Sequence, residues 1–303
     1  MSNPILSICI PTYNRANFLK KNLDSIISQF NDRNIKELVE VVISDNASTD
    51  DTAMVVKSFQ ERFDNIKFFE NDQNLLFDRN LLNVIEKSSG EYCLTIGDDD
   101  ALFSGSLATI ISKLKSIRAD YFILNSWGYD HDLNRPLLSR PNTQLINDVI
   151  FNSLADFVRS IKKHRDLIGY FGGMSTQLFL RNIWMNYEHK NDFLDTQSMH
   201  TLVLLSAYKN SRFALLAFPA VKTRSDNMRW NAIPGLETTI RRSKATVESV
   251  LWIKKQYSLS ISGWKIKVYY LTRGYWVAFK EFTKKILLEM GLKKIIDFYR
   301  SLK

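Results

Sequence analysis

Four short apolar runs punctuate the first part of the chain: ILSICI at 5–10, LVEVVIS at 38–44, IKFFE at 66–70 and YCLTI at 92–96. All are short and mostly rich in β-branched or aromatic residues, as strands buried on both faces are. Between them the apolar residues change period. Leu19, Leu23, Ile26, Ile27 and Phe30 fall on one helical face, Met54, Val55, Phe59 and Phe63 on another, and Leu81, Leu82, Val84 and Ile85 form a third cluster. Strand–helix alternation of this kind predicts an α/β fold, a mostly parallel sheet wound with right-handed crossovers and flanked by helices. YFILN at 121–125 is expected to extend the sheet. A chain of 303 residues, 45% of them hydrophobic, can build one large α/β domain with an appendage, or two small domains.

In open sheets of this type ligands bind beyond the carboxyl ends of the strands. The polar residues directly after each strand are therefore the candidates for chemistry. Here they are PTYNR (Pro11 to Arg15), DNASTDDT (Asp45 to Thr52) and GDDD (Gly97 to Asp100). Three adjacent carboxylates, Asp98, Asp99 and Asp100, repel one another and call for a compensator. A hard divalent cation is the natural one, since Mg²⁺ is often held by one or two carboxylates together with a substrate's phosphates. A solvated acidic turn is the plainer alternative, and convergence of three strand ends on one rim weighs against it. Singly, each residue has an ordinary use. Asp45 or Ser48 suits a helix cap near Thr49, Pro11 and Asn14 suit turns, Arg79 suits a solvated helix face, and Gly90 suits a left-handed helix end.

The formal charge of +9 is unevenly spread: residues 241–303 carry 15 Lys or Arg against 4 Asp or Glu, leaving the first 240 residues slightly acidic. Cys9 and Cys93 both fall in expected buried strands and read as reduced core thiols. No uncharged apolar run is long enough for a membrane span, and the apolar run at the start is too short for a signal peptide, so a cytosolic protein is expected.

Taken in order, LSICIPTYNR, EVVISDNASTDDT and RNLLNVIEKSSGEYCLTIGDDD resemble the nucleotide-sugar-binding half of the family 2 glycosyltransferases, which have the GT-A fold. The resemblance covers roughly the first 105 residues and is closest to the abequosyltransferase-like branch that builds bacterial surface polysaccharides. It implies a Rossmann-like GT-A sheet and a nucleotide pocket lined by Pro11, Thr12, Tyr13 and Arg15. It further implies a base-binding Asp45, a nucleotide-framing pair Arg79 and Asn80, a ribose-binding Asp98 and a metal-binding Asp99. Asp100 is expected as a further or water-mediated ligand of the cation, Mn²⁺ or Mg²⁺. Two departures stand out. Gly97 replaces the first Asp that many members carry, and Leu75 and Leu76 stand where glycine is common, making the nucleotide-facing loop bulkier and leaving base preference open.

The resemblance implies inverting transfer of a sugar from a nucleotide-diphosphate donor to an acceptor hydroxyl. That reaction needs charge compensation at the departing diphosphate and a general base for the acceptor. The base is expected just before the apolar helix that follows EHKNDFLD, with Asp195 as first candidate and Asp192 as reserve; Asp195 equally suits a helix cap. Downstream, FPAVKTRSDNMRW at 218–230 offers Arg224 and Arg229 to close on a diphosphate. GYFGGMSTQLFLR at 169–181 is a candidate acceptor lining, with simple turn formation as the alternative, and His200 reads as a packed histidine.

Three segments are expected: 1–105 as the nucleotide-sugar-binding half, 106–235 as the acceptor-binding half, and 236–303 as a basic, aromatic-rich helical region. Aromatics among cations suit an anionic lipid surface, so the last segment is expected to bind the cytosolic face of the inner membrane and serve a lipid-linked or free saccharide acceptor. The same helices equally suit packing on the domain or pairing in a homodimer. A nucleic-acid partner is not expected, since no recognised module accompanies the basic tail and the rim is acidic. A nucleotidyltransferase would need a glycine-rich phosphate loop, and PTYNRAN has no glycine. A non-catalytic nucleotide-sugar binder is the remaining alternative.

Overall fold

The structure, a computed structural model, describes residues 4–137, 143–196, 198–224, 236–260 and 263. Nine strands form one sheet: β1 (Leu6–Thr12), β2 (Val39–Asp45), β3 (Ile66–Glu70), β4 (Tyr92–Thr95), β5 (Ala101–Leu102), β6 (Tyr121–Tyr129), β7 (Val149–Phe151), β8 (Gln177–Leu180) and β9 (Phe213–Arg224). The helices that matter for the site are α1 (Ala16–Ile27), α2 (Arg33–Leu38), α3 (Thr52–Gln60) and α4 (Leu76–Glu86); they are followed by α5 (Ser106–Ser116), α6 (Leu154–Ser160), α7 (His164–Phe171), α8 (Arg181–Asn186), α9 (Met199–Ala207) and α10 (Leu236–Tyr257).

The strand order is β3-β2-β1-β4-β8-β6-β9-β5, with β7 pairing β9. β1 to β4 run parallel, as the alternating pattern predicts, and β6 pairs β9 in parallel. The antiparallel partners are short: β8 between β4 and β6, and β5 and β7 along β9. The expected extension by 121–125 therefore exists, but β8 is wedged between it and β4. β1, β2 and β4 are buried along their whole lengths, which is why they read as unbroken apolar runs. Their outward residues meet Leu19, Leu23 and Ile26 of α1 and Val56 and Phe59 of α3 in one continuous core.

Gly90 departs from the reading as a left-handed cap. Helix α4 ends at Glu86 with Lys87 as its C-cap, and Gly105 is the one described glycine with positive φ. At Gly90 a side chain is excluded by crowding instead, since a Cβ would lie 2.6 Å from Ser7 Oγ and 2.7 Å from Ser7 N. Cys9 and Cys93 are buried free thiols, as expected.

By its internal contacts the chain divides into two units, Met1–Asn227 and Met228–Lys303. The first unit holds the whole sheet, to which both expected halves, 1–105 and the described part of 106–235, contribute strands. In the second, α10 has Val247, Val250, Ile253 and Tyr257 buried at helical spacing. Most of the basic, aromatic tail, from 264 onward, lies outside the described residues.

Candidate active site

The parallel register sets the site. Thr12, the last residue of β1, pairs with Asp45, the last of β2, and Gly97 to Asp100 follow β4 on the other side of β1. Three loops therefore leave the sheet at one rim. Thr12 Oγ1 donates to Asp98 Oδ2 at 2.8 Å. Arg15, at the start of α1, places Nη1 between two carboxylates, 3.0 Å from Asp98 Oδ1 and 2.7 Å from Asp99 Oδ2. The compensator for adjacent aspartates is thus partly built into the chain. Burial alone would weaken the Arg15 guanidinium's hold on its proton, but Asp98 and Asp99 outweigh it.

The three aspartates are not equivalent. Asp98 is buried, and burial pushes its carboxyl well above the usual range, opposed by Arg15 and reinforced by Asp99. Asp100 is raised in the same direction by burial and then by Asp99. Its two oxygens face the interior: Oδ2 accepts from Ser175 Oγ, and Oδ1 accepts from Arg224 N at 2.8 Å. Asp99 keeps the most accessible side chain of those on Arg15, 21% exposed against 8% for Asp98.

Among the described residues, no group of three His, Cys, Asp or Glu side chains is arranged to hold an ion by itself. The donor set still fits a cation held in the other common way, by one carboxylate and the oxygens of a phosphorylated substrate, with Asp99 as that carboxylate. Asp100, expected as a further or water-mediated ligand, also anchors the turn through one hydrogen bond on each of its oxygens.

Gly97 explains the altered acidic motif. A Cβ there would sit 2.9 Å from Asp99 Oδ1, 3.4 Å from Ser175 Oγ and 3.5 Å from Asp100 Oδ2. The missing side chain leaves room for the two carboxylates that follow. Gly97 N in turn donates to Ser175 Oγ at 2.9 Å, while Asn22 Nδ2 donates to the carbonyls of Gly97 and Asp100 at 3.1 and 2.9 Å. Ser175 and Asn22 escaped the sequence reading. A serine beside GG and an asparagine inside a helix carry no signal until the fold brings them under the turn. The segment read as a candidate acceptor lining, 169–181, supplies Ser175 and the central strand β8.

Arg224 arrives by the pairing of β5, directly after the triplet, with the end of β9. Its Nε donates to the carbonyl of Asp99 at 2.8 Å, and its guanidinium lies 4.8 Å from the centre of the Phe18 ring, over which Arg15 also sits at 5.8 Å. Only 6% exposed, it leaves Nη1 and Nη2 without hydrogen-bond partners among the described residues. Burial lowers its pKa against the pull of Asp99 and Asp100. Lys222, from the same segment, is spent on the Phe103 and Tyr129 rings at 5.2 and 5.1 Å. Arg229 lies outside the described residues.

On the other flank, Asp45 is buried, accepting from Ser48 Oγ at 2.5 Å and Ser48 N at 3.3 Å, and burial raises its carboxyl's pKa. It does not cap α3, which begins at Thr52. Pro11 is buried in β1 and Tyr13 is half-buried just beyond it. Asn80 is structural to the rim: its Nδ2 donates to Ser44 O at 3.0 Å and Thr12 O at 3.4 Å, and its Oδ1 accepts from Ser44 Oγ at 2.7 Å. Arg79, one residue earlier, reaches Asp195. Asp195 does not cap α9, whose N-cap is Ser198. Asp192 is exposed and faces His189 Nδ1 at 3.0 Å. Four non-glycine residues of these loops, Asn14, Ala47, Leu76 and Asp195, have φ between 52° and 65°; backbone strain of this kind gathers at functional sites.

A mixed, mostly parallel, helix-flanked sheet with an acidic turn at its strand ends, beside the half-buried Arg15 and the buried Arg224, is the architecture of a GT-A glycosyltransferase. The comparisons agree. TarS 1–349 of S. aureus, solved with UDP-GlcNAc, superposes with a TM-score of 0.61 at 15% identity, covering 89% of this chain and 72% of that one. A mannosyltransferase of Pyrobaculum calidifontis, solved with GDP-Man and Mn²⁺, gives 0.53 at 15% identity over 100% and 84%. Residues 7–179 match the family model Glycosyl transferase family 2, and the chain belongs to that family. It is 29% identical over 231 residues to the abequosyltransferase RfbV of Salmonella typhimurium, covering 74% of this chain and 67% of the relative. It is 28% identical over 212 residues to the GalNAc(5)-diNAcBac-PP-undecaprenol beta-1,3-glucosyltransferase of Campylobacter jejuni, covering 69% and 62%. The expected branch, abequosyltransferase-like, is borne out by the first of these.

Proposed function

We propose that this chain is an inverting glycosyltransferase that moves a sugar from a nucleotide-diphosphate donor to a hydroxyl of a lipid-linked or free saccharide acceptor in bacterial surface-polysaccharide assembly. The observation that carries this reading is the Arg15 guanidinium clasped between Asp98 and Asp99 at the ends of β1 and β4, with the buried, partly unpartnered Arg224 packed on the same turn. A site of both charges suits a ligand that pairs a polyanionic diphosphate with hydroxyl-rich sugars.

In this reading Asp45 and Tyr13 receive the base, Pro11 and Thr12 line the pocket, Asp98 takes the ribose, and Arg79 and Asn80 frame the nucleotide side. Arg224, joined by Arg229, takes up charge on the leaving diphosphate through planar guanidinium hydrogen bonds. Asp99 holds a divalent cation, Mn²⁺ or Mg²⁺, which when bound supplies Lewis-acid charge compensation to the diphosphate. The acceptor oxygen forms a bond to the anomeric carbon as the bond to the diphosphate oxygen breaks with its electron pair. The acceptor's proton passes to a carboxylate, Asp195, with Asp192 in reserve. Such a base contributes roughly 10² to 10⁴ in rate.

Peripheral association with the cytosolic face of the inner membrane is part of the proposal. It is supported by the cationic, aromatic composition of residues 241–303 and by the undecaprenol in the name of the Campylobacter relative. Among the described residues no helix is long and apolar enough to cross a membrane. The test is a panel of nucleotide sugars incubated with the protein, Mn²⁺ and undecaprenyl-diphosphate-linked glycans. Sugar transfer to one of them with inverted anomeric configuration is expected; a retained configuration overturns the single-displacement mechanism.

A further inference from the structure

Phe18 follows Arg15, the N-cap of α1, by three residues, so the two side chains meet on one face of the helix start. The Arg15 guanidinium lies over the Phe18 ring, 5.8 Å from its centre, and the Arg224 guanidinium, brought in at the end of β9, lies over it at 4.8 Å. Two cations from distant segments thus rest on one aromatic ring. Both also meet the same aspartate. Arg15 Nη1 donates to Asp99 Oδ2 at 2.7 Å, and Arg224 Nε donates to the Asp99 carbonyl at 2.8 Å. His131, edge-on to Phe18 at 5.5 Å, packs against the same ring.

Electrostatics explains why the residue between the arginines is aromatic. Like charges that converge on one residue repel each other, and the negative face of a ring offsets this. Another carboxylate would offset it as well, but it would consume the N–H donors. Those of Arg224 are unspent: the residue is 6% exposed, and its Nη1 and Nη2 have no hydrogen-bond partner among the described residues. A ring attracts a guanidinium through its face without taking up the donors, which point outward in the guanidinium plane. Buried donors held in this state call for an acceptor from outside the chain. Leucine in place of Phe18 would fill much of the same space with no attraction for a cation.

We propose that Phe18 is a positioning residue for the phosphate-binding end of the site. It acts through Arg15, which orients Asp99, and through Arg224, whose free Nη donors it holds for the diphosphate oxygens of the sugar donor. This deepens the sugar-nucleotide reading and rests on it.

The experiment replaces Phe18 in the full-length protein by mono-, di- and trifluorinated phenylalanine, which weaken the ring's attraction for cations stepwise at nearly constant shape; Phe18→Leu and Phe18→Tyr accompany the series. UDP, CDP, GDP and ADP, each with Mn²⁺, are titrated calorimetrically into the wild type, and the tightest binder is carried through the variants, with thermal midpoints recorded without nucleotide. Affinity is expected to fall with each fluorine, reaching about fivefold or more with three. Phe18→Leu is expected to lose at least as much, and Phe18→Tyr to stay within about threefold of the wild type, while the fluorinated forms keep midpoints close to it. Affinity unchanged within twofold across the fluorinated series overturns the assignment, whatever the midpoints do, because a ring that only fills space is indifferent to fluorine. Absence of binding by all four nucleotides to every form overturns the sugar-nucleotide reading itself, and the assignment with it.

Discussion

The guanidinium of Arg79 grips the carboxylate of Asp195 from 116 residues away, with Nη1 3.0 Å from Oδ1 and Nη2 3.4 Å from Oδ2. The contact joins helix α4, proposed to frame the nucleotide side, to the loop proposed to serve the acceptor. Both side chains are substantially exposed, 43% and 60%, so the pair contributes at most about 1 kcal/mol to stability.

Its importance lies in position. Asp195→Asn is expected to leave nucleoside-diphosphate affinity within about threefold of wild type, under 1 kcal/mol, while lowering the transfer rate by roughly 10² to 10⁴. Asp192→Asn is expected to be near neutral. Parallel calorimetry and turnover assays check this, and full turnover in the Asp195 variant would remove it from the role of base.

Thr12→Val tests the wiring of Asp98. The hydroxyl that donates to Asp98 Oδ2 at 2.8 Å is buried, and its loss leaves a buried carboxylate oxygen one donor short. A destabilisation of about 1–3 kcal/mol is expected. Urea unfolding measures it, and Thr12→Ser, which keeps the donor, is expected to recover most of the loss.

Gly97→Ala tests the altered acidic turn. The new methyl would meet Asp99 Oδ1 at 2.9 Å, and the carboxylate end is the part able to yield. Asp99 is then expected to swing off Arg15. Loss of one charge-assisted hydrogen bond predicts nucleotide affinity lower by about tenfold in the presence of Mn²⁺, with only a small fall in thermal midpoint.

His200 gives a prediction on pH. Burial in α9 lowers its pKa from 6.5 to about 4, with the backbone of Gly172 pulling weakly the other way. Below pH 6.5 the unfolded chain therefore takes up a proton that the folded chain refuses. The contribution to stability is whole above pH 6.5 and is lost as the pH falls toward 4, by on the order of 3 kcal/mol. Asp98 and Asp100, raised by burial, act in the opposite sense over part of this window, so the comparison must be with a variant. The difference in stability between the wild type and His200→Leu is expected to shift toward the variant between pH 6.5 and 4, and to be flat from 7 to 8.

The first four strands were legible because burial on both faces makes them unbroken apolar runs and the helices between them change the period. β8 was not, because QLFL is only four residues long and its antiparallel place between β4 and β6 is decided by contacts distant in sequence. The same contrast holds in the site. Asp45, Asp98 and Asp99 announce themselves as acidic residues directly after strands. Ser175 and Asn22 do not, since their roles exist only once the turn lies upon them, and nothing local says that both oxygens of Asp100 will be drawn inward. The clash at Gly90 with Ser7 is likewise a property of two segments, and local reasoning mistook it for a helix cap.

The central claim is that Asp99, oriented by Arg15, engages a nucleotide-diphosphate sugar through a cation. The most direct measurement is release of nucleoside diphosphate from a nucleotide-sugar panel, with Mn²⁺ or with a chelator, by the wild type and Asp99→Ala. The account predicts release from at least one donor that falls by about 10² or more both on chelation and in the variant, the scale of losing charge stabilisation at a leaving group. Equal release by Asp99→Ala and wild type, with and without the metal, would contradict it.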